Sequence, residues 1–369
     1  MRRMPADHIL IVVHDFSAGG TENIAFRLAK EWLDRGRRVS ILAGAPDGPM
    51  RARIPEGAGV RVLSPPIPRS PGSRLRLGAA MTEDIRALAP DILFLPGNFH
   101  FILAAAIRRA FPRLPIAAKV SNPLLPRIPG WLRGFARRKL GQRLSGIDSL
   151  IFMAQELAEA ARPLLPDGPA DIIPEPNLRH GYVPLPRTRP DGPPLILCLA
   201  RLEPQKNLAL ALRAFAALTK TTDARLLILG EGAQRPMLER LVHKLGLDGL
   251  VAMPGFSSDT EARLAEASAL LVTSRYEGYP AAVVEALAAD VPVVSTACTP
   301  VLASLIRSPL HGRVVAKATP EALAGALAET LALPFASGGK RAEAVRGNDA
   351  RASADAYLAL FDRLVEARR

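Results

Sequence analysis

Short apolar runs, each followed by a longer stretch of helical period, recur along almost the whole chain, and this alternation is the tightest constraint on its fold. Residues 9–13, 39–43, 60–63, 92–95, 116–120 and 150–153 have the length of buried parallel strands. Between them, 21–35, 74–88, 101–110, 130–144 and 155–164 carry helical patterns. A passage from 174 to 194, with Pro184, Pro186, Pro190 and Pro193, excludes both helix and central strand and reads as an interdomain connection. The alternation then restarts, with strands expected at 195–200, 225–229, 250–253, 269–273, 291–295 and 313–316, and helices at 208–218, 235–245, 281–289, 320–331 and about 350–367. Strands alternating with helices of this length build βαβ units. The expectation is an α/β chain of two Rossmann-like, doubly wound domains facing across a cleft. The first is 1–185, with the helix at 350–367 packing back on it; the second is 186–349. Open sheets of this kind bind ligands at the carboxyl ends of their strands.

Composition narrows the function classes. At 49% apolar and 22% charged residues the chain can bury a sizeable core. No apolar run reaches the roughly 18–20 residues of a membrane span, and the run at 9–13, ended by His14 and Asp15, is too short for a secretory leader. Cys198 and Cys298 lie far apart without metal-ligand spacing, so small buried thiols and a cytoplasmic location are expected, with no structural metal. Net charge is +13, unevenly spread: residues 1–185 hold 26 Lys/Arg against 16 Asp/Glu, and residues 186–369 hold 22 against 19. A basic half suits nucleic acid, an anionic membrane or an acidic substrate. With 5% aromatics and no nucleic-acid-binding motif, nucleic acid is set aside.

Four strand-to-helix turns carry the chemistry. In 274–287, Glu277 lies in the loop before Gly278, Tyr279 and Pro280, and Glu285 falls eight residues later in a helix. The amides at that helix start form an anion-friendly lip between two carboxylates able to grip hydroxyls. In 199–208, Arg201 and Lys206 stand where phosphate charge would be met. In 229–234, Gly230 and Gly232 resemble the opening of a dinucleotide fingerprint, but Arg235 occupies the third glycine position, which argues against NAD. In 17–23, Gly19 and Gly20 allow backbone to approach a ligand closely. Taken singly, each admits a plain alternative: solvated loop charges, or a tight turn.

Taken together, in this order, the chain resembles the retaining glycosyltransferases of family 4, which have the GT-B fold. The carrying residues are Gly19, Gly20 and Glu22, then Arg201, Lys206 and Asn207, then Gly230 and Gly232, Gly255 and Phe256, the E-x7-E pair Glu277 and Glu285, and the Val-Pro-Val-Val run at 291–294. The resemblance covers nearly the whole chain and is stronger after residue 195. It implies transfer of a sugar from a nucleotide-diphosphate donor with retained anomeric configuration and no metal or other cofactor. Arg201 and Lys206 would hold the diphosphate, Glu285 the ribose hydroxyls and Glu277 those of the transferred sugar. Gly278, Tyr279 and Pro280 would position the donor, Gly20 would approach its phosphates, and Val251 to Phe256 would lie beside the base. His100 is the histidine candidate after the fourth strand, with Asn98 beside it; a structural histidine is the other reading. The chain departs from the family at Asp290, where glycine is common, and at 297–304, where a Gly…Glu segment is common.

The helix expected at 130–144 combines Trp131, Leu132, Phe135, Leu140 and Leu144 with Arg133, Arg137, Arg138, Lys139 and Arg143. It reads either as a packed helix with solvated arginines or as a surface for an anionic membrane or an acceptor. The overall expectation is a cytoplasmic enzyme, peripheral on the inner face of the membrane, acting in envelope polysaccharide or glycolipid synthesis. Its donor would be UDP-linked, with GDP-mannose second, and its acceptor a glycan or lipid-linked molecule. The alternatives are a nucleotide-sugar epimerase on the same fold and a non-catalytic nucleotide-sugar or membrane-binding relative.

Overall fold

The computed structural model describes residues 5–17, 19–125, 130–165, 170–189, 191–257 and 259–368. The chain divides into two compact units, Met1–His180 with Asn348–Arg369, and Gly181–Gly347. Unit 1 is a seven-stranded sheet of β1 (His8–Val13), β2 (Arg38–Ala43), β3 (Gly59–Val62), β4 (Ile92–Leu95), β5 (Ile116–Lys119), β6 (Ser149–Phe152) and β7 (Ala170–Ile172). All pairs are parallel, in the order β3-β2-β1-β4-β5-β6-β7. Unit 2 holds β8 (Leu195–Leu199), β9 (Arg225–Leu229), β10 (Val251–Gly255), β11 (Ala269–Val272), β12 (Val293–Thr296) and β13 (Gly312–Val315), parallel throughout in the order β10-β9-β8-β11-β12-β13. Each sheet reverses winding once, between β1 and β4 and between β8 and β11, which are the topological switch points where doubly wound sheets take ligands.

The strands read as unbroken apolar runs because both faces are covered. Along β1, Ile9, Ile11 and Val13 enter one core cluster while Leu10 and Val12 enter the cluster on the opposite face. The terminal helix Ala350–Glu366 seals the first of these. Its Tyr357 and Phe361 meet Trp32 edge-on at 5.9 and 5.3 Å, and Phe94 joins the same aromatic group. Such contacts add about 0.5–1.5 kcal/mol each beyond area burial. The helix is capped by Asp349, whose carboxylate accepts from the amides of Arg351 and Ala352, and held by a forked pair from Arg37 to Asp362.

Several expectations need correction. The stretch 74–88 is two helices, Ser73–Ala80 and Thr82–Leu88. The helix expected at 130–144 opens as a 3-10 turn and is α-helical over Arg133–Leu144; that at 155–164 is α-helical over Gln155–Ala161 and tightens to 3-10 after it. Strand β7 and the helices Thr260–Glu266 and Leu302–Leu305 were not anticipated; at three, seven and four residues they are too short to show a period. The compact units divide at 180/181 and again at 347/348. Residues after 180 belong to unit 2 because Arg187 donates to the carbonyls of Leu264, Ala265, Ala267 and Phe335, tying the proline-rich passage to that sheet.

Candidate functional site

The carboxyl edge of the unit 2 sheet brings together residues from the turns after β8, β11 and β12. Lys206 Nζ donates to Glu277 Oε1 at 2.6 Å, and Ser274 Oγ donates to the same oxygen at 2.6 Å. Both members of the ion pair are largely buried, with side-chain exposure of 20% and 11%. Asn207 takes a left-handed conformation (φ +50°), which Asn tolerates, as the chain turns from Lys206 into the helix Leu208–Leu218. Arg201, one turn upstream and exposed, donates to Glu203 Oε1 at 2.6 Å. Arg201 and Lys206 therefore both lie in the turn after β8, each held by a carboxylate.

The loop bearing Glu277 is propped by the segment after β12. Glu277 N donates to Cys298 O (3.0 Å), Thr296 Oγ1 to Ser274 O (2.7 Å) and Thr299 Oγ1 to Gly278 O (2.9 Å). Residues 297–304, which depart from the family pattern, thus fix the loop's shape. Pro280 is the cap of the helix Ala281–Ala288. Two amides of that first turn, Ala281 and Val283, already donate to the carbonyls of Tyr279 and Pro280, which narrows the expected anion lip. Glu285 sits half-buried one turn into this helix.

Gly230 and Gly232 have an internal reason to be glycine. Both have positive φ, and a Cβ at Gly230 would lie 2.0 Å from Ala200 O, one at Gly232 2.5 Å from Leu202 O. They let their turn pass against the backbone that carries Arg201. Val251 opens β10, and Phe256, just past its end, is 72% exposed beside the Gly230 turn, whose amide donates to Gly255 O. Asp290 occupies a left-handed position (φ +62°), so a glycine would fit there for backbone reasons. Its carboxylate accepts from Ser337 N and Ser337 Oγ, and its carbonyl accepts from buried Arg341. This departure is a fold contact. Both cysteines are buried and unpaired in disulfides; burial raises Cys198 to about 12, and burial with the nearby Glu277 charge raises Cys298.

At the carboxyl edge of unit 1, Gly19 caps the helix Gly20–Asp34 with an extended backbone (φ −155°). A Cβ on Gly19 would meet the Glu22 carboxylate, whereas one on Gly20 would meet nothing within 4 Å. Neither turn geometry nor packing requires glycine at 20. His100 ends a 3-10 turn after β4, as expected, but its ring is 1% exposed with neither nitrogen hydrogen-bonded. Burial foremost, then the charges of Arg69 and His14, lower its pKa to about 3, so the ring is neutral near pH 7. Asn98 pins loops: its amide donates to Asn122 O and its oxygen accepts from Ser121 Oγ and Asn122 N.

Sequence reasoning missed the charges around this histidine. Asp15, held well below the usual carboxylate range by Arg69 and Ser17 against the opposing effect of burial, takes a forked pair from Arg69 Nε and Nη2, both at 2.8 Å. Arg69 and Arg74 both stack on the Phe99 ring, at 4.6 and 4.0 Å from its centroid. The signal was slight: the polar His14 and Asp15 that end the first apolar run.

On the helix Arg133–Leu144 and the turn before it, Leu140 and Leu144 are buried, while Trp131 and Phe135 are 82% and 60% exposed. Lys139 stacks on Phe135, Arg137 donates to Pro163 O, and Arg138 is exposed. The side chain of Arg133 lies outside the described residues. Among the described residues no helix is long and apolar enough to cross a membrane, and no three His, Cys, Asp or Glu converge as a metal site.

Two doubly wound parallel sheets with charged residues at their switch points define a tandem Rossmann-like α/β protein. Residues 186–349 match the family described as glycosyl transferases group 1, and residues 19–176 match the glycosyl transferase 4-like domain. Together the two matches indicate a GT-B glycosyltransferase of the family-4-like kind. The chain is 37% identical over 101 residues, 27% of each chain, to the N-acetylgalactosamine-N,N'-diacetylbacillosaminyl-diphospho-undecaprenol 4-alpha-N-acetylgalactosaminyltransferase of Campylobacter jejuni. It is 35% identical over 160 residues, 41% of this chain and 38% of the other, to the putative colanic acid biosynthesis glycosyltransferase WcaL of Escherichia coli. These matches span well under half the length of the curated relatives. In fold, the crystal structure of Anabaena Alr3699/HepE in complex with UDP and glucose superposes with a TM-score of 0.70 at 16% identity, covering 97% of this chain and 98% of that one.

Proposed function

We propose that the protein transfers a sugar, with retention of configuration, from a nucleotide-diphosphate sugar to a glycan or lipid-linked acceptor in envelope polysaccharide or glycolipid synthesis. The observation that carries this reading is the meeting of Lys206, Glu277 and Ser274 at the unit 2 switch point, with Arg201 on the neighbouring turn. UDP is favoured over GDP as the donor's nucleotide: one structural neighbour of similar fold is a UDP complex. The Campylobacter relative, named for a diphospho-undecaprenol acceptor, supports the lipid-linked option, and the colanic acid relative supports the polysaccharide one.

In this mechanism Glu277 neutralises Lys206 until the donor arrives. The diphosphate then takes the Lys206 and Arg201 cations, and Glu277 turns to the sugar hydroxyls while Ser274 holds its Oε1. Glu285 receives the ribose hydroxyls and exposed Phe256 lies against the base. As the bond from the anomeric carbon to the diphosphate oxygen breaks, negative charge grows on the phosphate between two cations, where fixed charges lower the barrier most. The acceptor hydroxyl attacks on the same face, and its proton passes to the departing phosphate oxygen. The cations are side chains, and no metal is invoked. Trp131 and Phe135, exposed among Arg137, Arg138 and Lys139, suit contact with an anionic membrane at the cytoplasmic face.

The test is a product assay with UDP- and GDP-linked sugars against lipid-diphosphate and glycan acceptors. Activity is expected with a UDP-sugar and lost in Glu285→Ala with the fold intact. Full activity in Glu285→Ala would remove the donor-site assignment.

A further inference from the structure

The positive charge of unit 1 has a focus that the donor chemistry of unit 2 does not use. Arg69 lies in the loop after β3, Arg74 in the first turn of the helix Ser73–Ala80, and both guanidiniums share the ring of Phe99, which follows β4. The ring is fixed from below by two histidines in edge contact, His14 at 5.7 Å and His100 at 5.4 Å. Arg143, at the end of the helix Arg133–Leu144, adds a third cation close enough to act on Arg74. Burial, followed by the Arg143 and Arg69 charges, pulls the Arg74 pKa down, so these cations repel one another.

The acids nearby are committed elsewhere. Both Asp15 oxygens are taken by Arg69, and one also accepts from Ser17 N. Glu22 acts on Arg69 from beside Gly19. Arg74 and Arg143 have no carboxylate partner among the described residues, and all three arginine side chains are exposed. Underneath, His100 is buried with both nitrogens lacking partners, a polar ring spent on supporting Phe99. The cluster stands at the carboxyl ends of β1, β3 and β4, which is this sheet's own switch point. An aromatic platform carrying planar, forked donors matches phosphate oxygens, which arginine binds in pairs.

We infer that Arg69, Arg74 and Arg143, organised on Phe99, form a phosphate-recognition site in unit 1, separate from the Arg201–Lys206 pair, and that it receives a phosphate or diphosphate ester carried by the acceptor. The second half of this inference rests on the glycosyltransferase reading; the site itself does not. The ligand class is then a phosphate ester, and a neutral glycan alone is a poorer acceptor than the same glycan on a diphosphate.

The experiment is calorimetric titration of the full chain and of an Arg74→Gln/Arg143→Gln variant with inorganic pyrophosphate, in the presence of saturating UDP. Melting temperatures of both proteins with and without UDP or GDP report the unit 2 site separately. The wild type is expected to bind pyrophosphate beside UDP, and the variant at least tenfold more weakly, with unchanged UDP stabilisation and an affinity that falls with salt. A farnesyl diphosphate arm and a phosphatidylglycerol-vesicle arm distinguish the two sources of phosphate. The inference predicts that the tenfold loss extends to farnesyl diphosphate. Equal pyrophosphate affinity in the two proteins, displacement of pyrophosphate by UDP, or a loss confined to vesicles would each overturn it. Absence of stabilisation by UDP and GDP alike, with the pyrophosphate loss intact, would defeat the donor-site reading and leave the phosphate site standing.

Discussion

The two sheets are wound alike, yet their carboxyl edges handle charge in different ways. In unit 2 the cations stand against acids that sit close in sequence or on the adjoining turn: Arg201 with Glu203, Lys206 with Glu277. In unit 1 Arg69 has Asp15, while Arg74 shares an aromatic ring with it and has cations for neighbours. The lesson concerns what each edge is ready for. A paired edge exchanges one partner for another when a diphosphate arrives, and its acid is released to do a second job. An edge where Arg74 has cations for neighbours and no carboxylate partner gains directly from an anion, because a ligand relieves repulsion already present.

The largest expected effect breaks the comparison on the unit 2 side. Lys206→Ala removes the cation that faces the leaving diphosphate, and kcat is expected to fall about 10²–10³-fold, as for loss of one preorganised donor. Steady-state kinetics with a UDP-sugar measures this; a rise in KM at unchanged kcat would mean the lysine binds ground state only. The same substitution leaves Glu277 buried without its cation, so a loss of stability accompanies it.

A second comparison sets two glycines against each other. Gly230→Ala forces a Cβ 2.0 Å from Ala200 O at positive φ and is expected to destabilise unit 2 by roughly 1–3 kcal/mol. Gly20→Ala meets no protein atom and is expected to leave stability within about 0.5 kcal/mol. Denaturant unfolding of the two variants separates the roles. Equal destabilisation would show that Gly20 serves the fold after all.

The smallest effect is in pH. His100, held down at about 3, is neutral in the folded chain, whereas an unfolded histidine titrates near 6.5. Below about pH 6.5 the unfolded state takes up a proton that the folded state refuses. Stability is therefore complete above that pH and is lost as pH falls toward 3, by up to about 1.4 kcal/mol per pH unit for this group. His8 and His14, also lowered foremost by burial, act in the same direction in unit 1. Trp32, buried in the unit 1 core, reports that unit's unfolding in urea. The midpoint is expected to drop between pH 7 and pH 5, and to drop less in His100→Asn. An equal drop in both would mean that His100 is charged in the folded state.

The contrast between the edges also explains what could be read from the chain. The parallel strands were legible because each is a short apolar run closed by a turn, and Val39, Ile41 and Ala43 pair with β1 as that reading requires. Strand β7, with Ala170-Asp-Ile, was not, since an edge strand of three residues carries no pattern. The unit 2 turns were legible because Arg201 and Lys206 share one turn, and Glu277 and Glu285 lie on another turn and the helix it opens. The unit 1 cluster was not, because His14, Arg69, Phe99 and Arg143 come from four separate turns and elements and meet only when the sheet forms. His100 was found at the right edge, but its burial could not be read from a helix-like pattern. Ser274 and Thr299 fell within the 274–287 and 297–304 segments but were given no role of their own, though they hold Glu277 and Gly278.

The most direct test of the central claim is calorimetric titration of UDP, GDP and ADP into the wild-type protein and into Lys206→Ala. The account predicts that UDP binds most tightly, raising unfolding free energy by about 2.7 kcal/mol at a hundredfold excess over Kd, and that Lys206→Ala weakens UDP at least tenfold. Binding of no nucleotide, or UDP affinity unchanged by Lys206→Ala, would contradict it.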